Sequence, residues 1–483
     1  MKNYRKNLLP VLAFFVIGLA SCSNDDVVKY STNALKNTEL MNILKQKGYQ
    51  FDKDNKLELN DLANNTTSLD LSGTKLKDLS GLDILPNLKD VKLSNNEYGP
   101  TFDFANLPAQ ITGVDLTGNE IYNYKNLIDV KVEENDDETI TNIHNITKLY
   151  LPAEAKYNIK DLVRFYRKNK SDIENGKIDM QMADESGKLQ KYNTLRKVNN
   201  KLVLKAIKET FSSIMAADGE HVDLSKRLNN TEKAEIFSLE TDDDPSSAYL
   251  EGMQYVVENP YWEGPYLFIF GSEKQKAVIP YIELGSNVQF LSFQDVDAQK
   301  GICYDSASSL YGAQFRNVSG LKVLDFSHST WFGQRDPKFE EDGPQSSQLA
   351  IGSCPDLTEI KYPKSKDLCA SLIQLSDLPK LKEVDLSPFR MLGSFGLSLY
   401  PFKGKLVYPE LRLYLSGFVK HTGFSCNKEI LERPETIEFI KKYYFNCNPK
   451  HIDEWGSLLF NDRKNPNFKI ISWSLPIYQH YFN

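Results

Sequence analysis

The sequence predicts an α/β fold in which short parallel strands stack through repeated copies of one motif. Two observations support this prediction. An apolar residue followed by Pro, any residue, Leu and two alternating apolar positions recurs at residues 85–93, 354–362 and 378–386. Copies without the proline start at residues 69, 111, 146, 288, 321, 408 and 468. The last apolar positions of the first copies, Leu71, Leu93 and Leu116, lie 22 and 23 residues apart, which is the spacing of a small stacked repeat.

Each copy ends in two apolar residues that flank one polar residue, as Val114 and Leu116 flank Asp115. This alternation is the pattern of a half-buried strand, in which successive side chains point to opposite faces. A unit of this length cannot enclose a core alone, so neighbouring units must bury their apolar sides against each other. We therefore expect a solenoid with a parallel β-sheet on its concave face.

The motif resembles that of leucine-rich repeats. Within residues 57–127, the segment 114–121 matches the LxLxxNxI core of internalin-type repeats, and the segment 91–96 matches it in part. Asparagine is expected at this turn because its side chain can bond to backbone groups that a tight bend leaves unpaired. The proline-containing copies of the second block resemble the BspA-type repeats of Bacteroidetes surface proteins. Both resemblances imply an architecture, and neither implies a particular function, because this fold serves many functions.

The repeat signal divides the chain into five parts. We predict a signal peptide at 1–21, a lipidated tether at 22–31, an N-terminal cap with repeats at 32–155, a small α+β module at 156–286 that interrupts the array, and a C-terminal repeat domain at 287–483. From Lys156 the motif disappears for about 130 residues. Helical apolar spacing occurs there at residues 159–166 and 202–214, and strand-like runs occur at 266–270 and 277–284. In the cap, Ser31 or Thr32 is expected to begin a helix that ends at Gly48.

The first residues have the features of a secretion signal. Three cations precede an apolar run of about twelve residues, which is too short to span a bilayer. Leu19-Ala20-Ser21-Cys22 resembles a bacterial lipobox, which implies that Cys22 becomes the lipidated first residue; the alternative is a plain secretory signal with an incidental cysteine. The polar, acidic run at 23–26 resembles the export signal of Bacteroidetes surface lipoproteins. We therefore expect an outer membrane lipoprotein that is exposed on the cell surface, the alternative being a solvated periplasmic tether.

Composition argues against several classes of partner. The chain has a formal net charge of −7 with six His, and removal of the leader would make it more acidic. Such a chain has no evident means of binding nucleic acid or an anionic bilayer. The expected membrane contact is the lipid on Cys22 alone, and no cofactor is expected.

The remaining cysteines have separate expected roles. Export would place them in an oxidising compartment, where Cys426 and Cys447 are the candidate disulfide pair. Cys354 stands where Leu85 and Leu378 stand in their repeats. We therefore interpret Cys354 as a small buried hydrophobic residue rather than a reactive thiol.

The sequence contains no HExxH, CxxC, P-loop, GxSxG or GxGxxG motif. The segment 218–223 is rich in metal-ligand side chains but lacks the spacing of a calcium loop, so a turn with solvated carboxylates is expected. Residues 299–303 are faintly similar to the stretch before the nucleophile of papain-type peptidases, with His421 and His451 downstream. Because Tyr304 and Asp305 depart from that family's pattern, a cysteine peptidase is only the third hypothesis. The chain is predicted not to be an enzyme.

The candidate ligand site is the row of side chains between the paired apolar positions, which would align across the concave sheet. The first block contributes Asp70, Lys92, Asp115 and Tyr150, and the second block contributes Ser292, Asp325, Lys361, Asp385, Arg412 and Ser472. Because neighbouring charges alternate in sign, an ordinary solvated sheet face is an equally acceptable interpretation.

Two classes of function follow. The first is a non-catalytic interaction or adhesion protein that holds a protein or host-surface ligand on this row. The second is a carbohydrate-capture lipoprotein in which exposed aromatic side chains stack on sugar rings, with Trp262, Trp331 and Trp455 as candidates.

Overall fold

The structure is a computed structural model that describes residues 28–133, 137–229, 232–272, 274–334, 347–411, 423–440 and 442. The predicted signal peptide, the lipidation site Cys22 and most of the tether lie outside these residues. So do Arg412 and Ser472 of the candidate row, Cys447, Trp455 and both histidines of the peptidase hypothesis.

The described chain is an α/β protein in which parallel strands predominate and helices are few and short. Its strands are β1 (Tyr30–Ala34), β2 (Lys56–Glu58), β3 (Ser68–Asp70), β4 (Asp90–Lys92), β5 (Thr101–Asp103), β6 (Gly113–Asp115), β7 (Asn123–Lys125), β8 (Ile128–Val132), β9 (Glu138–Asn142), β10 (Lys148–Leu151), β11 (Asp179–Ala183), β12 (Leu189–Lys191), β13 (Leu195–Lys197), β14 (His221–Asp223), β15 (Ile236–Glu240), β16 (Tyr266–Phe270), β17 (Ala277–Val278), β18 (Ile282–Glu283), β19 (Phe290–Asp297), β20 (Ile302–Cys303), β21 (Gly312–Ser319), β22 (Val323–Asp325), β23 (Gln348–Gly352), β24 (Glu359–Lys361), β25 (Leu368–Ser376), β26 (Glu383–Asp385), β27 (Phe389–Ser398), β28 (Lys405–Val407) and β29 (Gly423–Cys426). Its α-helices are α1 (Thr38–Gln46), α2 (Asp61–Asn65), α3 (Leu162–Lys168), α4 (Lys170–Glu174), α5 (Lys201–Thr210), α6 (Pro245–Ala248), α7 (Gln254–Val257), α8 (Lys428–Leu431) and α9 (Pro434–Ile440). No helix among the described residues is long and apolar enough to cross a membrane.

The first sheet has six strands in the order β12-β11-β10-β6-β4-β3. All neighbours are parallel except the edge strand β12. One register level places an apolar side chain of each parallel strand in the core, where each is at most 3% exposed: Leu69, Val91, Val114, Leu149 and Met180. The predicted strand positions of the N-terminal copies are therefore confirmed.

The turns that follow these strands are held by buried asparagines. Asn119 Nδ2 donates to the carbonyl of Leu93 at 3.0 Å, and its Oδ1 accepts from the backbone amide of Asn96 at 2.8 Å. Asn96 Nδ2 in turn donates to the carbonyl of Leu71 at 2.9 Å. Both side chains thus bond to backbone groups of the preceding repeat, and Asn119 Nδ2 also donates to the Leu116 carbonyl of its own repeat. These bonds confirm the role that the sequence predicts for these positions.

The second sheet has nine strands, and its main path is β15-β16-β19-β21-β23-β25-β27-β29, with β17 paired to β19. Every neighbouring pair is parallel. One register level is again entirely apolar and at most 2% exposed: Phe237, Leu267, Leu291, Ala313, Leu349, Ile373, Phe395 and Phe424. We call this sheet the large sheet.

Short strands follow the long strands of the second half. They pair in parallel as β22 with β24 and β26 with β28, and backbone bonds of 2.9, 3.1 and 2.9 Å link Lys322, Thr358, Lys382 and Lys405 in that order. Leu324, Val384 and Leu406 from these strands enter the same core as the large sheet. The second half therefore has two faces turned away from its core, one on the large sheet and one on the short strands.

A left-handed backbone residue recurs at one register level of the large sheet. Asp295, Asn317, Ser353 and Asp377 all have φ between 50° and 56°. Asn317 Nδ2 donates to Asp295 Oδ1 at 2.6 Å, so adjacent members of this column are also bonded. Polar residues suit this position because Asn and Asp adopt left-handed backbone more readily than other non-glycine residues.

Three sequence predictions about local structure need correction. Ser31 and Thr32 lie in β1, and the cap helix starts later, where the side chain of Asn37 accepts from the backbone amide of Leu40 at 3.0 Å. The helix nevertheless ends near Gly48, as predicted. The run at 277–284 forms two short strands because Pro280, between them, has no backbone N–H to donate.

The third correction concerns the predicted separate module at 156–286. Its strands β11 and β12 extend the first sheet, and β15 and β16 begin the large sheet. The predicted helices are present as α3 and α5, and β16 matches the predicted strand at 266–270. This stretch lacks the repeat motif, yet β15 and β16 alternate in burial in the same way, and its strands continue both sheets.

Candidate functional site

The predicted row of the first sheet is present. Strand register places Asp70 beside Lys92, Lys92 beside Asp115, and Asp115 beside Tyr150. Their polar atoms largely bond within this surface. Lys92 Nζ lies 3.5 Å from Asp70 Oδ2, Asp115 Oδ1 accepts from the Thr117 hydroxyl at 2.7 Å, and the Tyr150 hydroxyl donates to Asp179 at 2.6 Å.

Hydrogen bonds within this surface shift the pKa values of two of its residues. Hydrogen bonds from Ser72 lower the pKa of Asp70, and the bond to Asp179 raises the pKa of Tyr150 to about 12. Both groups are therefore held in their ordinary neutral-pH forms by neighbours in the same sheet. This part of the row fits the solvated sheet face better than a ligand site.

The predicted row of the second block divides between the two faces. Asp325 and Lys361 are neighbours on β22 and β24, with Nζ and Oδ2 3.3 Å apart, and Asp385 lies on the short strand β26. Ser292 instead lies on the large sheet, beside Phe268 and Gln314. The prediction that Ser292 shares their row is wrong, because the alternating apolar motif marks both long and short strands and cannot separate them.

A groove of about 1250 Å³ opens along the short-strand face and includes two of the predicted residues, Lys361 and Asp385. Its charged lining is mixed, with basic side chains from Lys361, Lys364, Lys366, Lys382 and Arg390 and acidic side chains from Glu359, Glu383, Asp385 and Glu410. We call it the charged groove. Pro363, Pro388 and Tyr408 add apolar surface to it.

Several side chains of the charged groove were not predicted. Lys364 and Lys366 are exposed on the loop after β24, and their amino groups make no hydrogen bond or ion pair within the described part of the chain. Arg390 Nη1 donates to the carbonyl of Ser387 at 2.9 Å. The closely spaced lysines after Pro363 were the sequence signal that could have indicated this loop.

A second polar cluster lies where the two halves of the chain meet; we call it the buried junction. Lys160 Nζ and Ser306 Oγ both donate to Glu283 Oε1 at 2.9 Å. The backbone amide of Glu283 donates to Glu258 Oε1 at 3.0 Å, and Asn123 Nδ2 donates to the Tyr281 hydroxyl at 2.9 Å. Hydrogen bonds at this junction therefore connect residues that precede β15 with residues that follow it.

Burial raises the pKa values of two acidic groups in this junction, Glu258 and Asp161. Glu258 is 4% exposed, and desolvation raises its pKa to about 8, against the opposing attraction of Lys160. Desolvation also raises the pKa of Asp161 although Asn158 and the Tyr124 amide donate to it. At neutral pH the Glu258 carboxyl therefore carries its proton, and the junction holds fewer negative charges than its sequence indicates.

The peptidase hypothesis gains no support from the geometry at Cys303. Desolvation raises the pKa of the Cys303 thiol, whereas a nucleophilic cysteine needs a lowered pKa. The nearby His328 Nε2 lies 3.8 Å from Asp305 Oδ1. Cys354 is fully buried, which agrees with its interpretation as a small hydrophobic residue.

The structure also bears on the carboxylate-rich segment at 218–223 and on two of the candidate sugar-stacking tryptophans. Asp218 accepts from the backbone amides of Glu220 and His221 at 2.9 and 3.0 Å, so the segment forms the predicted turn. Within the described ranges no group of three or more His, Cys, Asp or Glu could hold a metal ion. Trp262 is 1% exposed and cannot present a platform to a sugar, whereas Trp331 is 49% exposed.

Comparison with known proteins identifies no relative. No protein-family model matches the chain, and no curated protein sequence or solved structure matches it either.

Proposed function

We propose that this chain is a non-catalytic lipoprotein of the outer membrane, exposed on the cell surface, that binds a protein ligand through a leucine-rich-repeat solenoid. The ligand is a protein of a host or neighbouring cell, and it occupies the charged groove. The proposal rests mainly on one observation, the placement of Lys361 and Asp385 on a groove of about 1250 Å³.

The in-register parallel strands support a solenoid. Successive copies of the motif place equivalent apolar residues on adjacent strands, from Leu69 to Leu149 and from Leu324 to Ile360. The turn asparagines Asn96 and Asn119 recur with the same separation as the apolar residues on the strands before them. The left-handed residues at 295, 317, 353 and 377 do the same in the large sheet. Stacked units of this kind create extended rigid surfaces, and such surfaces suit macromolecular ligands.

The chemistry of the charged groove favours a protein over other ligands. Both cations and carboxylates line it, and Lys405 pairs with the lining residue Glu383 at 2.7 Å. A polyanion such as nucleic acid would meet the four carboxylates of the lining, whereas a protein surface can offer matching charges of both signs. The prolines and Tyr408 supply apolar contact area, as in the interior of a protein interface.

Charge reversal in the groove tests this function. Cells displaying the full chain capture a ligand protein, which is then identified and titrated against the purified chain. Lys364→Glu with Lys366→Glu is expected to weaken that affinity at least tenfold, because both amino groups are exposed and each must meet the partner. The matched control is Lys188→Glu with Lys191→Glu, two exposed lysines at the edge of the first sheet.

Either of two results would overturn the proposal. One is the absence of any captured protein that binds the purified chain. The other is an affinity that survives both the reversal at Lys364 and Lys366 and a further Lys361→Glu change. Loss of affinity in the control pair alone would move the site to the first sheet.

The anchor is tested separately. Cys22→Ala is expected to abolish incorporation of a radiolabelled fatty acid, while Cys303→Ala keeps it. Replacement of Asp25 and Asp26 by lysine is expected to remove the protein from the reach of a protease added to intact cells. Fatty-acid labelling that persists in Cys22→Ala would refute lipidation at this residue.

A further inference from the structure

The outward face of the large sheet carries a cluster of aromatic rings. Tyr266, Phe268 and Phe270 alternate on β16 with the buried residues Leu267 and Ile269, so their rings all point away from the core. Their centroids are separated by 5.9 Å and 6.3 Å. All three rings are partly exposed.

The neighbouring strand extends this cluster. Phe290 lies beside Tyr266 in the register of β16 and β19, and its ring centroid is 5.7 Å from that of Tyr311. The ring of Phe290 leans over Gly312, where an added Cβ would come within 2.8 Å of it. We call the five rings of Tyr266, Phe268, Phe270, Phe290 and Tyr311 the aromatic platform.

The rest of this face is almost uncharged. The outward positions that continue the three rows across the sheet are, from β19 to β29, Ser292, Gln294, Gly312, Gln314, Arg316, Gln348, Ala350, Gly352, Leu372, Gln374, Ser376, Ser394, Gly396, Ser398, Gly423 and Ser425. Arg316 is the single charged side chain among these positions, although a quarter of the whole chain is charged. On the other side of the rings, β15 presents Ile236, Ser238 and the charged Glu240, which lies beside Phe270. A phosphorylated, sulfated or uronate ligand would find little to pair with here.

The outward residues of the strands beyond the rings are mostly small, so this part of the sheet surface is flat; we call it the track. From β16 to β27 there are five strand spacings, which at about 4.8 Å each give a length of roughly 24 Å. On the next strand, β29, Ser425 is only 5% exposed. The side-chain amides of Gln314, Gln348 and Gln374 stand along this track, and they make no hydrogen bond to the described part of the chain. Each amide offers both a donor and an acceptor.

We propose that this face binds a neutral polysaccharide, whose sugar rings stack on the aromatic platform and whose hydroxyls bond to the glutamine amides of the track. Sugar hydroxyls are donors and acceptors at once, so they match amides rather than charged groups. The apolar C–H faces of hexose rings match partly exposed aromatic rings in the same way. The inference goes beyond the proposed function, since it concerns the large sheet and not the charged groove.

Affinity electrophoresis of the full chain tests the proposal. The probes are soluble starch, xyloglucan, laminarin, galactomannan and dextran, with polygalacturonate and heparin as charged comparisons. We expect retardation by at least one neutral polysaccharide and by neither charged one. Phe268→Ala with Phe270→Ala is expected to weaken that retardation at least tenfold. The matched control Tyr30→Ala, an exposed aromatic on β1 outside the large sheet, is expected to keep it.

A second variant distinguishes loss of polysaccharide binding from loss of folding. Gln314→Glu with Gln374→Glu preserves side-chain shape but removes two donors and adds two charges, and we expect it to weaken retardation at least threefold with an unchanged thermal midpoint. Retardation by no neutral probe, retardation by the charged probes alone, or full retardation in the Phe268 and Phe270 variant would overturn the proposal. So would a captured protein whose binding requires the platform.

The two proposals fail separately. The Lys364→Glu and Lys366→Glu change is expected to leave polysaccharide retardation unaltered, because these lysines lie on the short-strand face. The platform variants are likewise expected to leave the affinity for a protein ligand unaltered.

Discussion

The two outer faces of the second half come from the same repeated segments but differ in chemistry. On the short strands, outward positions such as Asp325, Lys361 and Asp385 are mostly charged. On the large sheet, the outward positions are mostly aromatic, amide or small, with charges at Arg316 and Glu240. One stacking scheme therefore supports two surfaces that suit different classes of ligand.

The two sides also contribute unequally to the core. The large sheet buries pairs of stacked rings, such as Phe293 with Phe315 at 5.0 Å and Phe395 with Phe424 at 4.5 Å between centroids. The short strands bury mainly aliphatic side chains such as Leu324 and Val384. The large sheet therefore covers the larger buried side chains, and the short strands cover smaller ones. We expect substitutions under the short strands to cost less stability.

The largest expected effect is on the free energy of unfolding, and it tests whether the core under the large sheet contributes more than the core under the short strands. Phe293→Ala should lower the free energy of unfolding by about 3–5 kcal/mol, because it removes a fully buried ring and leaves a cavity beneath the large sheet. Val384→Ala beneath the short strands should lower it by about 2 kcal/mol, at roughly 0.8 kcal/mol for each buried carbon removed. Urea unfolding at fixed pH measures both, and equal losses would contradict the comparison.

A pH effect of intermediate size should come from beneath the faces, at the buried junction. Glu258 has a folded-state pKa of about 8, above its ordinary value, and faces Glu283, Asp161 and Lys160. Between the ordinary value and pH 8 the unfolded chain loses this proton while the folded chain keeps it. The stabilisation from the raised pKa is therefore complete at low pH and is lost as pH rises through about 8.

Glu258→Gln isolates this contribution. Its amide oxygen can still accept from the Glu283 backbone amide, but the side chain no longer titrates. We expect the free energy of unfolding to fall less steeply between pH 5 and pH 8 in the variant than in the wild type. Glu240→Gln, an exposed carboxylate on β15, serves as the control, and identical slopes in the wild type and Glu258→Gln would refute the assignment.

Part of this architecture is readable from the sequence. Leu69, Val91, Val114 and Leu149 occupy the inward positions that their motif predicts, because strong alternation of apolar and polar residues fixes strand register. The turn asparagines were predictable for a similar reason, since their role depends on the local backbone. The row of Asp70, Lys92, Asp115 and Tyr150 follows directly from that register.

The large sheet was harder to predict. Strands β21, β25 and β27 carry Gly312, Ala370 and Gly396, whose small side chains weaken the alternation that marks a strand. The aromatic platform depends on the pairing of β16 with β19, which brings Phe290 beside Tyr266 across an intervening stretch that lacks the motif. The charged groove likewise combines Lys364 with Asp385 and Arg390 from different repeats, and no single motif encodes that proximity.

The smallest expected effect concerns the ion pair on the short-strand face. Asp325→Asn removes the anionic partner of Lys361, whose amino group lies 3.3 Å away; the Lys361 side chain is 43% exposed and the Asp325 side chain 14%. The lysine is open to water, and the Asn oxygen can still accept from the Ser327 amide, so the free energy of unfolding should fall by less than about 1 kcal/mol, and this difference should vanish near 1 M salt. A larger loss that persists in salt would mean that the charged face supports the fold itself. In that case the contrast between a structural large sheet and an adaptable short-strand face would no longer hold.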